Sequence, residues 1–142
     1  MGIVGIWIDH SQAVLVTIDA NKSSLTRIES GAEKQQREKG GSRSSTPYGA
    51  QVIVRERRAE ERRKHQLHHF YGAVIHAVRD AERIFVCGPG EAKVEFEKEL
   101  RKSKELSHRI VGVEPADKMT DNQLVAHIKR CFWKAESATE SA

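Results

Sequence analysis

The sequence is poor in cysteine, proline and aromatic residues, and it has no long apolar run. Its two cysteines, Cys87 and Cys131, lie far apart and form no CxxC pair, which excludes a disulfide framework and the usual zinc motifs. No segment approaches the roughly 18 apolar residues of a membrane span. No amino-terminal segment has the form of a signal peptide. We therefore expect a protein that stays in the cytoplasm, has no membrane partner and keeps both thiols reduced and buried.

The charge is small in total but unevenly distributed. The chain of 142 residues carries a formal net charge of +4. The stretch from Glu33 to Lys64 holds ten basic and five acidic residues, a net of +5, so the remainder is slightly acidic at −1. A basic segment on a nearly neutral body is typical of a protein that meets a polyanion at one place. The alternative is a solvated helix face with intrahelical pairs such as Glu60 with Lys64.

The first half of the chain predicts a strand meander, a loop and a long helix. Runs of β-branched residues at 3–9, 13–19 and 25–30, separated by turn-forming residues, predict three strands. The segment 31–50 is rich in Gly, Ser and polar residues, and we expect a long polar loop there. Apolar residues at spacings of three and four predict a helix over 55–79.

The second half alternates strands and helices. We expect strands at 83–87 and 109–113, a helix at 91–102 between them, and a last helix that begins with a capping box at Thr120. The residues from 134 to 142 predict a flexible tail. The chain is therefore expected to form one α/β domain over 1–133, in the order βββ-loop-α-β-α-β-α, with helices flanking a mixed sheet.

This order of elements, the polar loop that leads into a basic helix, and the run IFVCGPGEAK at 84–93 resemble a known family. They are similar to the middle domain of archaeal and eukaryotic peptide-chain release factors, and to bacterial release-factor-like proteins. The likeness covers roughly residues 3–132 and is strongest from Gly49 to Lys93. It implies a ribonuclease H-like fold and a role in translation.

The resemblance extends to single positions of the family's catalytic motif. In the release factors the loop carries Gly-Gly-Gln, with Arg residues four and seven positions after the Gln and a His fourteen after it. This chain has Gly49-Ala50-Gln51, with Arg55, Arg58 and His65 at those offsets. By this resemblance Gln51, at the loop tip with Gly49 beside it, would position the water that attacks the ester of peptidyl-tRNA.

The motif departs from the family pattern at one position. Ala50 replaces the second Gly, and its Cβ disfavours any positive φ that a catalytic loop requires. A second register, Gly40-Gly41-Ser42, keeps both glycines but has no amide side chain. The sequence thus leaves two possibilities open. If the chain is an enzyme, it is a peptidyl-tRNA hydrolase; otherwise it is a binding protein without that activity.

The expected partners follow from the charge and the resemblance. The expected partners are the ribosome, ribosomal RNA or tRNA. We expect the chain to act on stalled or idle ribosomes and to need no cofactor or metal. At this length we expect no codon-reading domain beside the fold. The residues expected to bind RNA are Arg43, Arg55, Arg57, Arg58, Arg62, Arg63, Lys64, His65 and Lys93.

Three other interpretations remain open. His65, His69 and His76 share a helix side, and an i, i+4 pair can chelate a metal, although no HExxH motif is present. A ribonuclease H-like fold also allows a metal-dependent nuclease, with Asp9 as a ligand and two later acids as companions, Asp80 and Glu82. A module that binds proteins, with charges that serve solubility, is the third.

Aromatic residues give little support for base stacking. Trp7 and Trp133 lie in apolar contexts and predict no stacking platform, while Tyr48 is the one aromatic residue among the basic residues of the loop.

Overall fold

The structure, a computed structural model, describes residues 2–20, 22–31 and 49–140, with side chains from 54 to 134 in the last range. Within these ranges the strands are β1 (Ile3–Ile8), β2 (Gln12–Asp19), β3 (Lys22–Glu29), β4 (Arg83–Gly88) and β5 (Ile110–Pro115). The helices are α1 (Gly49–Ala77), α2 (Ala92–Leu100), α3 (Lys104–Ser107) and α4 (Asp121–Glu140). Arg43, Tyr48 and the Gly40-Gly41-Ser42 register lie outside the described residues.

The five strands form one mixed sheet in the order β3-β2-β1-β4-β5. β1 pairs antiparallel with β2, and β2 pairs antiparallel with β3, as the meander predicts. β1 pairs parallel with β4, with Ile3 opposite Arg83, and β4 pairs parallel with β5. Each of these parallel pairings is reached through a helical connection, as parallel strands require. The predicted α/β fold with a mixed, ribonuclease H-like sheet is confirmed.

Helices cover both faces of this sheet. Along β1 the side chains alternate: Val4, Ile6 and Ile8 face the core formed with α1 and α2, while Trp7 faces the core formed with α4. This two-sided burial explains why the strand reads as an almost continuous apolar run. The α4 side of the core is built on three helix residues one turn apart, namely Leu124, Ile128 and Phe132.

The long helix begins earlier than the sequence predicts. α1 starts at Gly49, so the predicted loop 31–50 ends two residues too late and Gln51 lies in the first helical turn, not at a loop tip. The physical reason is local. No proline or glycine lies between Ala50 and Arg55, so nothing in the sequence stops the helix from extending toward its amino terminus.

The carboxy-terminal half contains two further differences. α4 continues to Glu140, where the sequence predicts a tail from 134; alanine and glutamate favour helix without needing burial. α3 was not predicted, because four residues show no periodicity. It is capped by Ser103, whose Oγ accepts from Leu106 N at 3.3 Å.

Two local predictions concern a cap and the cysteines. The capping box is present, since Thr120 Oγ1 accepts from Gln123 N at 3.2 Å and Gln123 Oε1 accepts from Thr120 N at 3.0 Å. Cys87 is buried as expected, but Cys131 is only half-buried, because it lies at the margin of the apolar face of α4. Among the described residues, no helix has the length and apolar character that crossing a membrane would demand.

Candidate nucleic-acid interface

The amino-terminal part of α1 projects from the domain. We call residues 49–66 the basic arm. No residue from 54 to 66 is buried, and the first buried side chain of the helix is Leu67. Even Val54, an aliphatic residue, is 46% exposed. At 1.5 Å per residue the arm is about 27 Å long. The predicted RNA-binding residues from 55 to 65 therefore lie on a solvated helix rather than on the globular core.

The continuous helix brings the motif positions onto one face of the arm. Offsets of four, seven, eleven and fourteen residues return to the same side of an α-helix, at about 100° per residue. This side is opposite the buried stripe that starts at Leu67. We call it the arginine face, and its positions are Gln51, Arg55, Arg58, Arg62 and His65.

Acidic residues of the arm are largely kept off the arginine face. Glu56 and Glu60 fall on the opposite side, in line with the buried stripe, and Glu61 lies between the two. The pair of Glu60 with Lys64, which the alternative interpretation requires, is not among the described ion pairs. Within residues 54–66, none of the described ion pairs involves the cations Arg57, Arg58, Arg62 and Lys64. These groups are therefore available to an external anion.

The arm is held at its base by an apolar stripe and a polar network. Leu67, Phe70 and Tyr71 are buried against the sheet and α2. Tyr71 Oη donates to Glu95 Oε1 at 2.7 Å, and the same oxygen lies 3.1 Å from His10 Nε2. Burial and the bond to Glu95 raise the pKa of Tyr71 well above its ordinary value. The phenol therefore stays protonated and fixes α1 to α2.

Gly31 and Lys93 also lie at this end of the molecule. Gly31 follows β3, and a Cβ built on it would lie 3.9 Å from Gln66 Oε1 at the base of the arm. Lys93 is in the first turn of α2, two residues from Glu95, and its Nζ donates to the carbonyl of Gly90. Lys93 thus lies at the start of α2, near the base of the arm but not on the arm itself.

The remaining predicted residues are distributed as follows. Arg63 is half-buried on the side of the arm that continues the stripe, and its Nε has no hydrogen-bond partner. Ala50 lies in a regular helical turn, and Ala20 is the one non-glycine residue with positive φ among those described. The Cβ of Ala50 therefore meets no positive φ in this backbone, and its effect on a catalytic loop stays a prediction.

The geometry speaks against the nuclease interpretation. Asp9 Oδ1 accepts from Ser11 N and Gln12 N, both at 2.8 Å, so the side chain closes the β1–β2 turn. Glu82 and Asp80 precede β4, whose first residue Arg83 pairs with Ile3. Six strand residues, about 20 Å, separate the two ends of β1. The three acids therefore do not converge.

The histidines of α1 do not form a metal cluster. His65, His68, His69 and His76 are all exposed, and His68 Nδ1 lies 3.7 Å from Glu99 Oε1 on α2. Across the residues that the structure describes, no group of three or more His, Cys, Asp or Glu side chains is placed to hold a metal ion.

Sequence reasoning missed two features. One is the network of Tyr71, Glu95 and His10, whose members are up to 85 positions apart in sequence, so that no local pattern signals it. The other is Trp133, expected in an apolar context but 76% exposed. The helical period of α4 carries the signal for the second feature, because Trp133 falls away from the positions of Leu124, Ile128 and Phe132.

No protein-family model matches the sequence, and no curated protein sequence does. Several solved structures, however, have a similar fold. Pelota from Archaeoglobus fulgidus superposes with a TM-score of 0.58 at 14% identity, over 98% of this chain and 34% of that one. Pelota from Thermoplasma acidophilum gives a TM-score of 0.50 at 16% identity, over 89% of this chain and 31% of that one.

An archaeal translation termination factor, aRF1, is also similar, at 15% identity over 99% of this chain and 42% of that one, but its TM-score of 0.42 carries no argument. The chain spans about a third of the length of the two Pelota proteins. At these identities the likeness concerns the fold alone. In its fold, this chain is similar to release-factor-like proteins of the Pelota type, as the resemblance predicts.

Proposed function

We propose that this chain is a release-factor-like, translation-associated factor of the cytoplasm that binds ribosomal RNA or tRNA through the basic arm. The observation that carries the proposal is the arginine face. Arg55, Arg58 and Arg62 repeat along one side of a helix in which no described side chain before Leu67 is buried. An exposed helix with cations on one side suits the grooves and phosphate backbone of folded RNA.

Two further observations support the proposal. The offsets from Gln51 to Arg55, Arg58 and His65 equal those of the release-factor motif, and aligning the two requires no gap. The fold is similar to those of two archaeal Pelota proteins, although the chain spans about a third of each. The motif and the fold are independent observations, because one concerns side-chain identity and the other concerns backbone topology.

The test is sedimentation of purified protein with ribosomes at two salt concentrations. The double variant Arg58→Glu, Arg62→Glu reverses two charges of the arginine face without touching a buried residue. We expect it to lose most of its pelleting, and we expect wild-type pelleting to fall steeply with salt. The matched control is Lys98→Glu, Lys104→Glu, which changes the net charge equally at exposed positions on α2 and α3.

The outcomes separate the open alternatives. Equal pelleting by both double variants would contradict an RNA contact through the arm. A protein partner retained after nuclease treatment, with no ribosome pelleting, would instead favour a protein-binding module.

Peptidyl-tRNA hydrolysis is a second candidate function. It is favoured by the position of Gln51 at the outer end of the arm, about 24 Å along the helix from Leu67, at the rise per residue of an α-helix. Release of a labelled peptide from peptidyl-tRNA on ribosomes by the wild type, and its loss in Gln51→Ala with binding unchanged, is the expected result. Release at the background rate would leave binding alone.

A further inference from the structure

A second surface outside the basic arm carries an exposed tryptophan. Trp133, on α4, is 76% exposed, whereas Trp7, the other tryptophan of the chain, is 3% exposed. Tryptophan is highly buried on average, and it is enriched where proteins contact partners, so an exposure of 76% is unusual for this residue type. Trp133 is therefore a candidate binding residue.

The position of Trp133 on its helix shows that packing does not require it. α4 contacts the sheet through Leu124, Ile128 and Phe132. At about 100° per residue, Trp133 lies about 140° from the centre of this stripe. The side chain contributes to neither of the apolar clusters of the described residues. Its removal is thus expected to leave the core intact.

Cations lie one turn before Trp133 and directly after it. Lys129 and Arg130 precede it by four and three residues, which puts their Cβ atoms about 5–6 Å away along the helix surface. Lys134 follows it directly. In the part of the chain with described side chains, no ion pair involves any of the three. Their charge is not neutralised within the domain.

The acidic residues of α4 lie at its first position and in the part that follows Trp133, where Glu136 is three residues away. Asp121 begins the helix and is bonded by Arg27. Glu136 and Glu140 follow Trp133 in sequence. A net positive stretch therefore extends from Asn122 to Lys134, with Trp133 near its carboxy-terminal end. An anionic chain that touches Trp133 would run toward Lys129 and away from the glutamates.

We propose that this surface, formed by Lys129, Arg130, Trp133 and Lys134, binds single-stranded RNA. One base stacks on the indole of Trp133, and the adjoining phosphates contact Lys129 and Arg130. The aromatic ring can stack on a base while the neighbouring cations contact the adjoining phosphates. Sites that bind single-stranded nucleic acid commonly combine these two features. A protein partner would need both acidic groups for the cations and a surface that packs on the indole. A nucleic acid carries both features in every nucleotide, so charge complementarity favours the nucleic acid.

This site is independent of the basic arm. α4 covers one face of the sheet and α1 covers the other, so the two surfaces lie on opposite sides of the domain. Loss of one does not remove the other. An RNA that engages both would gain affinity from the second contact through its effective concentration.

The test is tryptophan fluorescence of the full chain titrated with a single-stranded uridine 12-mer. Because Trp7 is buried, Trp133 is the one of the two tryptophans that a base can reach, and we expect saturable quenching that weakens as salt rises. The variant Trp133→Phe, which removes the reporter at an exposed position, is expected to show no quenching of the remaining Trp7 emission. Circular dichroism checks that its fold is unchanged.

Charge reversal gives the decisive comparison. Lys129→Glu, Arg130→Glu is expected to weaken the quenching affinity roughly tenfold or more at low salt, since two phosphate contacts become repulsive. The control Lys98→Glu, Lys104→Glu, outside both surfaces, is expected to quench as the wild type does.

Other outcomes overturn the proposal. Absence of saturable quenching, or equal affinity in the Lys129/Arg130 variant and the control, would overturn it. A purified protein that binds through Trp133 while RNA does not quench would assign the surface to a protein contact instead. Failure of the arm variant to pellet with ribosomes would leave this result unaffected, so the two proposals fail separately.

Discussion

Gly88 occupies a position at the end of β4 where the backbone itself excludes a side chain. Its φ is +155°, and a Cβ would lie 2.1 Å from the carbonyl oxygen of Ile8 on the adjoining strand. That contact is with backbone, which cannot move as a side chain does. Gly72 is the opposite case, an exposed glycine inside α1 with nothing within 4 Å of an added Cβ.

We predict opposite effects for alanine at these two glycines. Gly88→Ala should lower the free energy of unfolding by about 2–4 kcal/mol, because β1 and β4 must separate to admit the methyl group. Gly72→Ala should raise it by about 0.5–1 kcal/mol, because alanine is the better helix residue. Urea denaturation measures both values. Equal effects at the two sites would contradict the described pairing of β1 with β4.

The two cysteines should differ in reactivity and in their effect on alkaline stability. Burial raises the pKa of Cys87 from 9.0 to about 12, and burial also raises the pKa of the half-buried Cys131. The native state therefore holds the Cys87 proton more tightly than the unfolded chain does. Stability from this site is complete below pH 9.0 and is lost as the pH rises toward about 12.

The corresponding measurement compares wild type with Cys87→Ala across the alkaline range. The wild type should lose stability more steeply above pH 9 than the variant does. With a thiol-reactive disulfide reagent at neutral pH, Cys131 should be modified first and Cys87 only on unfolding. Prompt modification of Cys87 in the native protein would contradict its burial.

Single residues also show what the sequence can predict at this scale. The Asp9 turn and the Thr120 capping box were predictable, because each is closed by hydrogen bonds between residues two or three positions apart. The shared bond of Tyr71 and His10 to Glu95 was not. It depends on the tertiary packing of α1, α2 and the β1–β2 turn, which no local pattern encodes.

At the scale of elements, the arm depends on helical continuity as much as on charge. The residues of the arginine face share a side only while α1 runs unbroken from Gly49 to its buried part. Apolar spacing predicted the buried part correctly from Leu67 onward. It did not extend the predicted helix over residues 49–54, because the apolar residues at spacings of three and four begin at Leu67. The amino-terminal bound of α1 was therefore the least predictable part of the candidate site.

A proline in the arm should separate geometry from charge. Ala59→Pro changes no charge, but it removes one helical hydrogen bond and interrupts the helix between Arg55 and Arg62, at a local cost of about 3 kcal/mol or more. We expect ribosome binding to weaken at least severalfold, with a loss of helical circular dichroism and an almost unchanged thermal midpoint, since Ala59 has no core contact.

The control for this variant is Ala59→Gln, which keeps helix propensity at the same site. It should bind as the wild type does. If the proline variant also binds normally, the cations do not need a common helix face. That result would contradict the role of the arginine face in binding.

At the scale of the whole molecule, the fold was predictable because several levels of the sequence agree. The runs of β-branched residues, the Gly-rich turn after β4 and the capping box all favour one α/β domain, and the sheet order β3-β2-β1-β4-β5 agrees with a meander and two parallel crossovers. The use of the two surfaces was less predictable. Net charge located the arm, whereas the exposure of Trp133 is signalled only by the helical period of α4, in which Trp133 falls away from Leu124, Ile128 and Phe132.

The central claim, that the arginine face of the arm contacts RNA phosphates, is tested most directly by the salt dependence of ribosome binding. The measurement is the slope of log Kd against log salt concentration for the wild type and for Arg58→Glu, Arg62→Glu. We predict a steep wild-type slope and a variant slope smaller by about 1.4–1.8, which corresponds to two lost phosphate contacts. A variant with the wild-type slope and affinity would contradict the claim.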